Sequence, residues 1–273
     1  MAFQTFGIVL RNERVQSIYF LLEIDCPPIA TRIRPGQFVM LKVSEGFHPI
    51  LRRPFSVYKS YPEDPPDKKK RGRFSVQYKV VGTGTQKMSE FRKGDQVDLI
   101  GPLGNGFTLP DPLPSSDILF VGGGVGAVTL YPLGEVLRER KLSVFVGGRT
   151  KKDLLCIQDF KNLNAAMFTA TEDGSAGFKG TVIDLFSSHI KKRKRHEMGY
   201  VYSCGPIGML EGLAQKIKGK GFIAQASLEA RMACGFGACW GCTVRTRDPQ
   251  TPYQRVCKDG PVFNLEQIDW GFR

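Results

Sequence analysis

The chain has 273 residues, 41% hydrophobic and 24% charged, long enough for two or three compact units and too apolar for a disordered protein. Its 39 Lys plus Arg against 26 Asp plus Glu leave a formal charge of +13, which points to an anionic partner without choosing between nucleic acid, lipid and protein. Seven cysteines, four of them crowded near the C-terminal end, fit a complete disulfide framework poorly; with no secretory signal at the start, the chain is expected to be cytoplasmic.

In the N-terminal third, short apolar runs predict strands over 7–10, 18–24, 37–43, 74–81 and 96–100. Turns at Arg34-Pro-Gly36 and Lys93-Gly-Asp95 separate them, as in an antiparallel β-barrel or sandwich. The Pro-, Lys- and Asp-rich stretch 61–73 reads as an exposed loop. Arg52-Arg-Pro-Phe-Ser56 lies between strands, and Gly82-Thr-Gly-Thr85 opens a helix expected over 86–91. Both offer donors that suit phosphates, and each taken alone is as readily a surface arginine or a turn.

Pro110-Asp-Pro-Leu-Pro114 reads as a rigid connector. Beyond it, strands over 117–121, 142–146, 168–171 and 200–203 alternate with helices over 129–140 and 208–218, the pattern of a doubly wound parallel sheet. The apolar stretch 118–134 is too short and too rich in glycine for a membrane span, so no transmembrane segment is expected. Strand 117–121 runs into Gly122-Gly-Gly-Val-Gly-Ala127, in which Gly122, Gly124 and Ala127 fit G-x-G-x-x-A. A pyrophosphate can sit on such a turn; a glycine turn packed closely on its sheet is the alternative.

The tail carries Cys234-Gly-Phe-Gly-Ala-Cys239-Trp-Gly-Cys242, spaced C-x4-C-x2-C, and then Cys257. That is the plant-type spacing for a 2Fe–2S cluster. One loop must curl around the cluster with its amides turned inward, and Gly235, Gly237 and Gly241 are expected to permit the curl. Structural zinc is the alternative, although zinc ligands usually come as two separated clips. Cys26 and Cys156 read as small buried hydrophobes. The basic runs at 68–71 and 191–196 sit in no recognition motif, so nucleic-acid binding is not expected. With only His48, His189 and His196, and no Ser-His-Asp set, histidine acid–base catalysis is not expected either.

Taken together, Leu51-Arg-Arg-Pro-Phe-Ser-Val57, Gly101-Pro-Leu-Gly-Asn-Gly-Phe107, Gly122-Gly-Gly-Val-Gly126, Thr171-Glu-Asp-Gly-Ser-Ala-Gly-Phe-Lys-Gly180, Cys204-Gly-Pro206 and Val256-Cys-Lys-Asp-Gly-Pro-Val-Phe263 resemble the electron-transfer subunits of dihydroorotate dehydrogenase B, within the ferredoxin–NADP reductase superfamily. The resemblance spans nearly the whole chain in order. It implies a multidomain α+β protein: an N-terminal antiparallel β-barrel for FAD at 1–110, a central doubly wound α/β sheet for NAD at 111–222, and a small 2Fe–2S domain at 223–273.

Carried over by position, Arg53, Pro54, Phe55, Ser56, Gln77, Tyr78, Lys79, Gly84 and Thr85 would contact FAD. Gly122, Gly123, Gly124 and Gly126 would hold NAD(H), Cys204 would lie near the nicotinamide, and Cys234, Cys239, Cys242 and Cys257 would ligate the cluster. Gln77 departs from the family, which commonly has an apolar residue there. Arg149 would reach the adenosine part; an arginine there suits NADP, and the family points to NAD. Glu172 and Asp173 are candidates for ribose hydroxyls, with a solvated turn as the alternative. NADH gives electrons as a pair and a cluster takes them singly, so a flavin would stand between. The implied partner is an FMN-containing catalytic subunit that oxidises dihydroorotate in pyrimidine synthesis, in a heterotetramer with paired copies of each subunit. The same layout also serves sulfite reductases, hydrogenases and sulfide dehydrogenases.

Overall fold

Apolar and polar residues that alternate along short segments must share one sheet if each is to bury a single face. The computed structural model describes residues 2–46, 48–62, 72–110, 117–191 and 199–271, and its N-terminal part is such a sheet. The elements are β1 (Phe3–Gln16), β2 (Tyr19–Asp25), α1 (Pro27–Ala30), β3 (Phe38–Leu41), β4 (Arg53–Ser56), β5 (Lys59–Tyr61), β6 (Arg73–Lys79), α2 (Thr83–Met88) and β7 (Gln96–Leu103). The strands run antiparallel in the order β4-β3-β7-β1-β2-β6-β5. Val97, Leu99 and Leu103 of β7 face inward and are buried, whereas Phe6 and Ile8 of β1 face out. Val9, Ile24, Val39, Leu41, Phe74 and Val76 fill the interior, joined by Met88 of α2.

Strands β4 and β5 are two halves of one bent segment, 53–61. Its first half pairs with β3, from Phe38↔Ser56 to Leu41↔Arg53, and its second with β6, from Lys59↔Ser75 to Tyr61↔Arg73. At the bend, Val57 N–H donates to Gln37 O at 3.4 Å and Tyr58 N–H to Ser75 O at 2.8 Å. The bend therefore joins the two edges of the sheet, which selects a barrel over a sandwich.

The next elements are β8 (Ile118–Gly123), α3 (Gly126–Val136), β9 (Leu142–Gly148), α4 (Ile157–Asn162), β10 (Ala166–Thr171), β11 (Phe178–Lys179), α5 (Val182–Ile190), β12 (Gly199–Cys204), α6 (Ile207–Ile217) and β13 (Phe222–Ser227). They are followed by β14 (Thr243–Arg245), β15 (Tyr253–Arg255) and β16 (Val262–Asn264). The second sheet has the order β11-β10-β9-β8-β12-β13-β16, parallel except for β16. Strands β8 and β12 are buried nearly throughout, as parallel strands covered on both faces are. Leu130 and Leu133 of α3 pack with Phe120 and Val144 in one core; Phe186 and Leu210 of α5 and α6 pack with Val121 and Phe145 in another. Strand order reverses between β8 and β12, so a crevice opens beyond their carboxyl ends.

Several expectations shift. Helix α2 starts at Thr83 rather than 86, and α3 spans Gly126–Val136 rather than 129–140. The parallel sheet continues past residue 222, because β13 pairs with β12 and the tail returns β16 to cover its other edge. The apolar stretch 118–134 is β8, a turn and the first part of α3, and no helix among the described residues is long and apolar enough to cross a membrane. The basic run 68–71, the run 191–196 beyond Lys191 and the connector beyond Pro110 lie outside the described residues.

Candidate functional site

Where the barrel meets the carboxyl ends of β12 and β13 there is a cleft of about 400 Å³. Arg53, Pro54, Phe55 and Ser56 of β4 line it, with Gln77, Tyr78 and Lys79 of β6 and with Thr85. Val128, Thr129, Cys204, Ser227 and Leu228 form the opposite wall. Adjacent arginines diverge here. Arg52 is tied to Asp98 Oδ2 at 2.5 Å, while Arg53 meets no carboxylate among the described residues and faces the cleft. Gly84 does not line the cleft; a Cβ there would stand 2.9 Å from Arg53 Nε, so its role is to let the guanidinium lie against α2. The Thr85 hydroxyl accepts from the N–H groups of Val81 and Gly82 at 2.9 and 3.2 Å, so it caps its own helix first. Tyr78 is pinned by donating to Asn12 Oδ1 at 3.0 Å, and Cys156 Sγ donates to Gln77 Oε1 at 3.6 Å. That contact gives polar Gln77 a partner.

Burial, reinforced by the charge of Glu229, pushes the Cys204 thiol up to about 12 against the lowering effect of the Thr129 and Ser227 hydroxyls. It is therefore a neutral thiol near pH 7.

A second cleft of about 650 Å³ lies in the crevice beyond the parallel strands, lined by Gly123, Gly124, Gly147, Gly148, Arg149, Glu172, Thr181, Pro206 and Met209. Gly122 and Gly126 do not line it. A Cβ on Gly122 would sit 2.8 Å from Ala127 Cα, and one on Gly126 would sit 2.1 Å from Cys204 O, so both are packing glycines. Gly124, at φ +54° with open space where a Cβ would go, is the one that leaves room for a ligand. Asp173 turns into its own loop, accepting from Ser175 N and Oγ at 2.9 and 2.6 Å, and Glu172 faces the cleft instead. Lys79, Val125 and Glu229 border both clefts. Sequence reasoning missed Glu229, Ser227, Met232 and Pro261, whose only signal is proximity to the cysteine motifs.

The cysteine loop begins just past the first cleft. Gly235 and Gly237 take φ of +81° and +94°, and a Cβ on them would strike Met40 Cγ and Lys258 Cδ, each at 2.5 Å. Gly241 does not share this role: Trp240 takes the left-handed conformation at φ +58°, and Gly241 N–H donates to Cys239 Sγ at 3.4 Å. Burial raises the Cys234 thiol, but the N–H groups of Cys239, Phe236 and Ala238 together with the Cys239 side chain outweigh it and bring it to about 6. Cys257 N–H donates to Cys242 Sγ at 3.4 Å. Burial first, then the neighbouring Cys242 and Cys234, push Cys257 up to about 12. Cys257 therefore senses both Cys242 and Cys234, and Cys234 senses Cys239, so the four thiols neighbour one another around the loop. The spacing of Cys234, Cys239 and Cys242 on one tight loop, with Cys257 from a separate turn, suits a 2Fe–2S cluster better than the two separated clips of a zinc site.

The two motifs that narrow the resemblance touch each other. Asn105, in Gly101-Pro-Leu-Gly-Asn-Gly-Phe107, donates from Nδ2 to the carbonyls of Lys258 and Asp259 beside Cys257.

Residues 229–269, which hold all four of these cysteines, match the family described as the iron–sulfur cluster binding domain of dihydroorotate dehydrogenase B. The chain is 38% identical over 254 residues to the dihydroorotate dehydrogenase B (NAD(+)) electron transfer subunit of Desulforamulus reducens, covering 92% of each chain. It is similar to the solved NADH-dependent reduced ferredoxin–NADP oxidoreductase, at 30% identity and a TM-score of 0.81, over 97% of this chain and 90% of that one. A ferredoxin NADP+ reductase from Neisseria gonorrhoeae, solved with FAD and NADP, shares the fold at a TM-score of 0.66 and 16% identity, over 82% of this chain and 99% of that one. The chain belongs to the family of dihydroorotate dehydrogenase B electron transfer subunits.

Proposed function

We propose that this oxidoreductase subunit passes electrons between NAD(H), FAD and a 2Fe–2S cluster, and exchanges them with an FMN-containing dihydroorotate dehydrogenase catalytic subunit. The carrying observation is that the two clefts share a corner at Lys79, Val125 and Glu229, so a dinucleotide in one and a flavin in the other would bring their reactive ends together. When bound, the flavin supplies the conversion between two-electron and one-electron transfer. The chain's own residues supply position and charge.

In this reading the first cleft takes FAD. Arg53, whose Nη1 donates to Leu51 O but which meets no carboxylate among the described residues, presents its charge to the pyrophosphate; Ser56, Gln77, Tyr78 and Lys79 frame the ring and ribityl chain, and Gly84 gives the arginine its seat. Cys204 offers a thiol that stays protonated and adds no negative charge where nicotinamide would stack. Gly123 and Gly124 give the dinucleotide its backbone approach, with Arg149 and Glu172 at the adenosine end. Glu172 as a ribose-hydroxyl acceptor disfavours a 2′-phosphate, which supports NAD over NADP. Cys234, Cys239, Cys242 and Cys257 would hold the cluster. The subunit would work in the cytoplasm, in a heterotetramer with paired copies of each chain.

The test is anaerobic reconstitution with FAD, iron and sulfide, followed by reduction with NADH or NADPH and by copurification. Retained flavin, iron with acid-labile sulfide, faster reduction by NADH and capture of an FMN protein that converts dihydroorotate are expected. Zinc-loaded, colourless protein would overturn the redox assignment. Recovery of a sirohaem or nickel protein would move it to another partner.

A further inference from the structure

Two stretches of chain run from the wall of the first cleft to the thiols. Ala230 and Met232 line the cleft and Cys234 follows shortly after; Cys257 precedes Pro261, which lines the cleft as well. Whatever holds these stretches sets the separation between the cleft and sulfur. The second stretch leans on the barrel through Asn105, just after β7. Asn105 Nδ2 donates to Lys258 O at 3.2 Å and to Asp259 O at 3.0 Å, while its N–H donates to Gly260 O at 2.6 Å. Gly104, at φ +74°, allows this approach, because a Cβ there would lie 2.4 Å from Pro261 Cδ.

The far side of the same turn is gripped by Arg255. Its Nε and Nη2 donate to the Asp259 carboxylate at 2.9 and 3.1 Å, and its Nη1 donates to Gly237 O at 2.9 Å. Its guanidinium also lies 4.4 Å from the centre of the Trp240 ring. Arg255 therefore ties the turn to the rest of the cysteine loop, and Asn105 ties it to the barrel that carries β4 and β6.

We infer that Asn105 is a positioning residue for electron passage between the flavin cleft and the cluster. Its side chain holds the carbonyls of Lys258 and Asp259, its N–H holds that of Gly260, and together they fix the turn that links Cys257 to Pro261 on the cleft wall. The inference rests on the function proposed above. The side-chain chemistry is specific: an amide offers two N–H donors, whereas an isosteric carboxylate would set acceptors against two carbonyl acceptors. Asn105 is exposed, so its replacement opens no cavity in the barrel core.

The experiment compares the full chain, loaded anaerobically, with Asn105→Asp and with Asn105→Ala, which drops the donors without adding charge. Flavin bleaching by NADH is followed by absorbance, cluster reduction by EPR of rapidly frozen samples, and amide exchange over 258–261 by mass spectrometry. Both variants are expected to keep FAD, iron and sulfide and to bleach at the wild-type rate. Cluster reduction should slow several-fold, because electron transfer weakens exponentially as the separation between flavin and cluster grows. Exchange over 258–261 should accelerate, which needs no turnover to be seen. If the Asp variant loses iron, the Ala variant decides. Wild-type cluster reduction in the Ala variant, or bleaching slowed by the same factor as cluster reduction, would overturn the inference. Wild-type protein that holds neither FAD nor iron with sulfide would overturn the proposed function and this inference with it.

Discussion

Arg52 and Arg53 are neighbours in the chain and opposites in environment. Arg52 spends its charge on Asp98, donating also to Asp98 O at 2.9 Å, whereas Arg53 keeps its charge for the cleft. Arg53→Ala is expected to weaken FAD binding by at least about tenfold with little change in urea unfolding, the loss of a charged hydrogen bond to a ligand. Arg52→Ala should do the reverse, keeping FAD and losing about 1–3 kcal/mol of stability, because the Asp98 carboxylate loses its charged partner and keeps only the Gln4 amide. Flavin titration and urea melts on the two variants read both effects, and an identical phenotype would refute the division. Within Leu51-Arg-Arg-Pro-Phe-Ser-Val57 the family pattern singles out Arg53, but the physical reason lies elsewhere, in a carboxylate on β7 that takes up Arg52. The same holds for Gln77, which reads as a departure until Cys156 is seen beside it.

At the scale of elements, the turn between β8 and α3 shows how a phosphate-loop signature divides its labour. Gly126→Ala should destabilise the protein by about 1–3 kcal/mol, because the added methyl meets Cys204 O and must push β12 from α3. Gly124→Ala meets open space and carries only the strain of its backbone angle, so the unfolding midpoints of the two variants should rank in that order. The strands were legible because buried parallel strands read as unbroken apolar runs such as Ile118-Leu-Phe-Val121. Helix α5 was missed although its signal stands in the chain: Thr181 and Asp184 form a capping box, with Val182, Ile183, Phe186 and Ile190 on one face. Helix α4 gave little to read, since it is six residues long and is capped by Cys156 at φ +58° with no side-chain cap bond. Strands β4 and β5 are half-buried throughout, so they lack the period-two contrast by which β7 declares itself.

For the whole molecule, the charge of +13 bears on association rather than fold. If the catalytic subunit presents a complementary acidic face, its association rate with this chain should fall roughly tenfold or more between low salt and about 0.5 M salt. Stopped-flow mixing would measure this, and a salt-independent rate would place the excess charge elsewhere than the interface. The shared corner of the two clefts was not legible in the sequence. It arises only when residues from β6, the β8–α3 turn and the segment after β13 meet in space. In the bent segment 53–61 the lining of the cleft and the seam of the barrel coincide. Reshaping the cleft at β4 would therefore also disturb the domain's seam. A lineage that changed its flavin would have to write the change into β6 or α2, leaving β4 nearly as it found it.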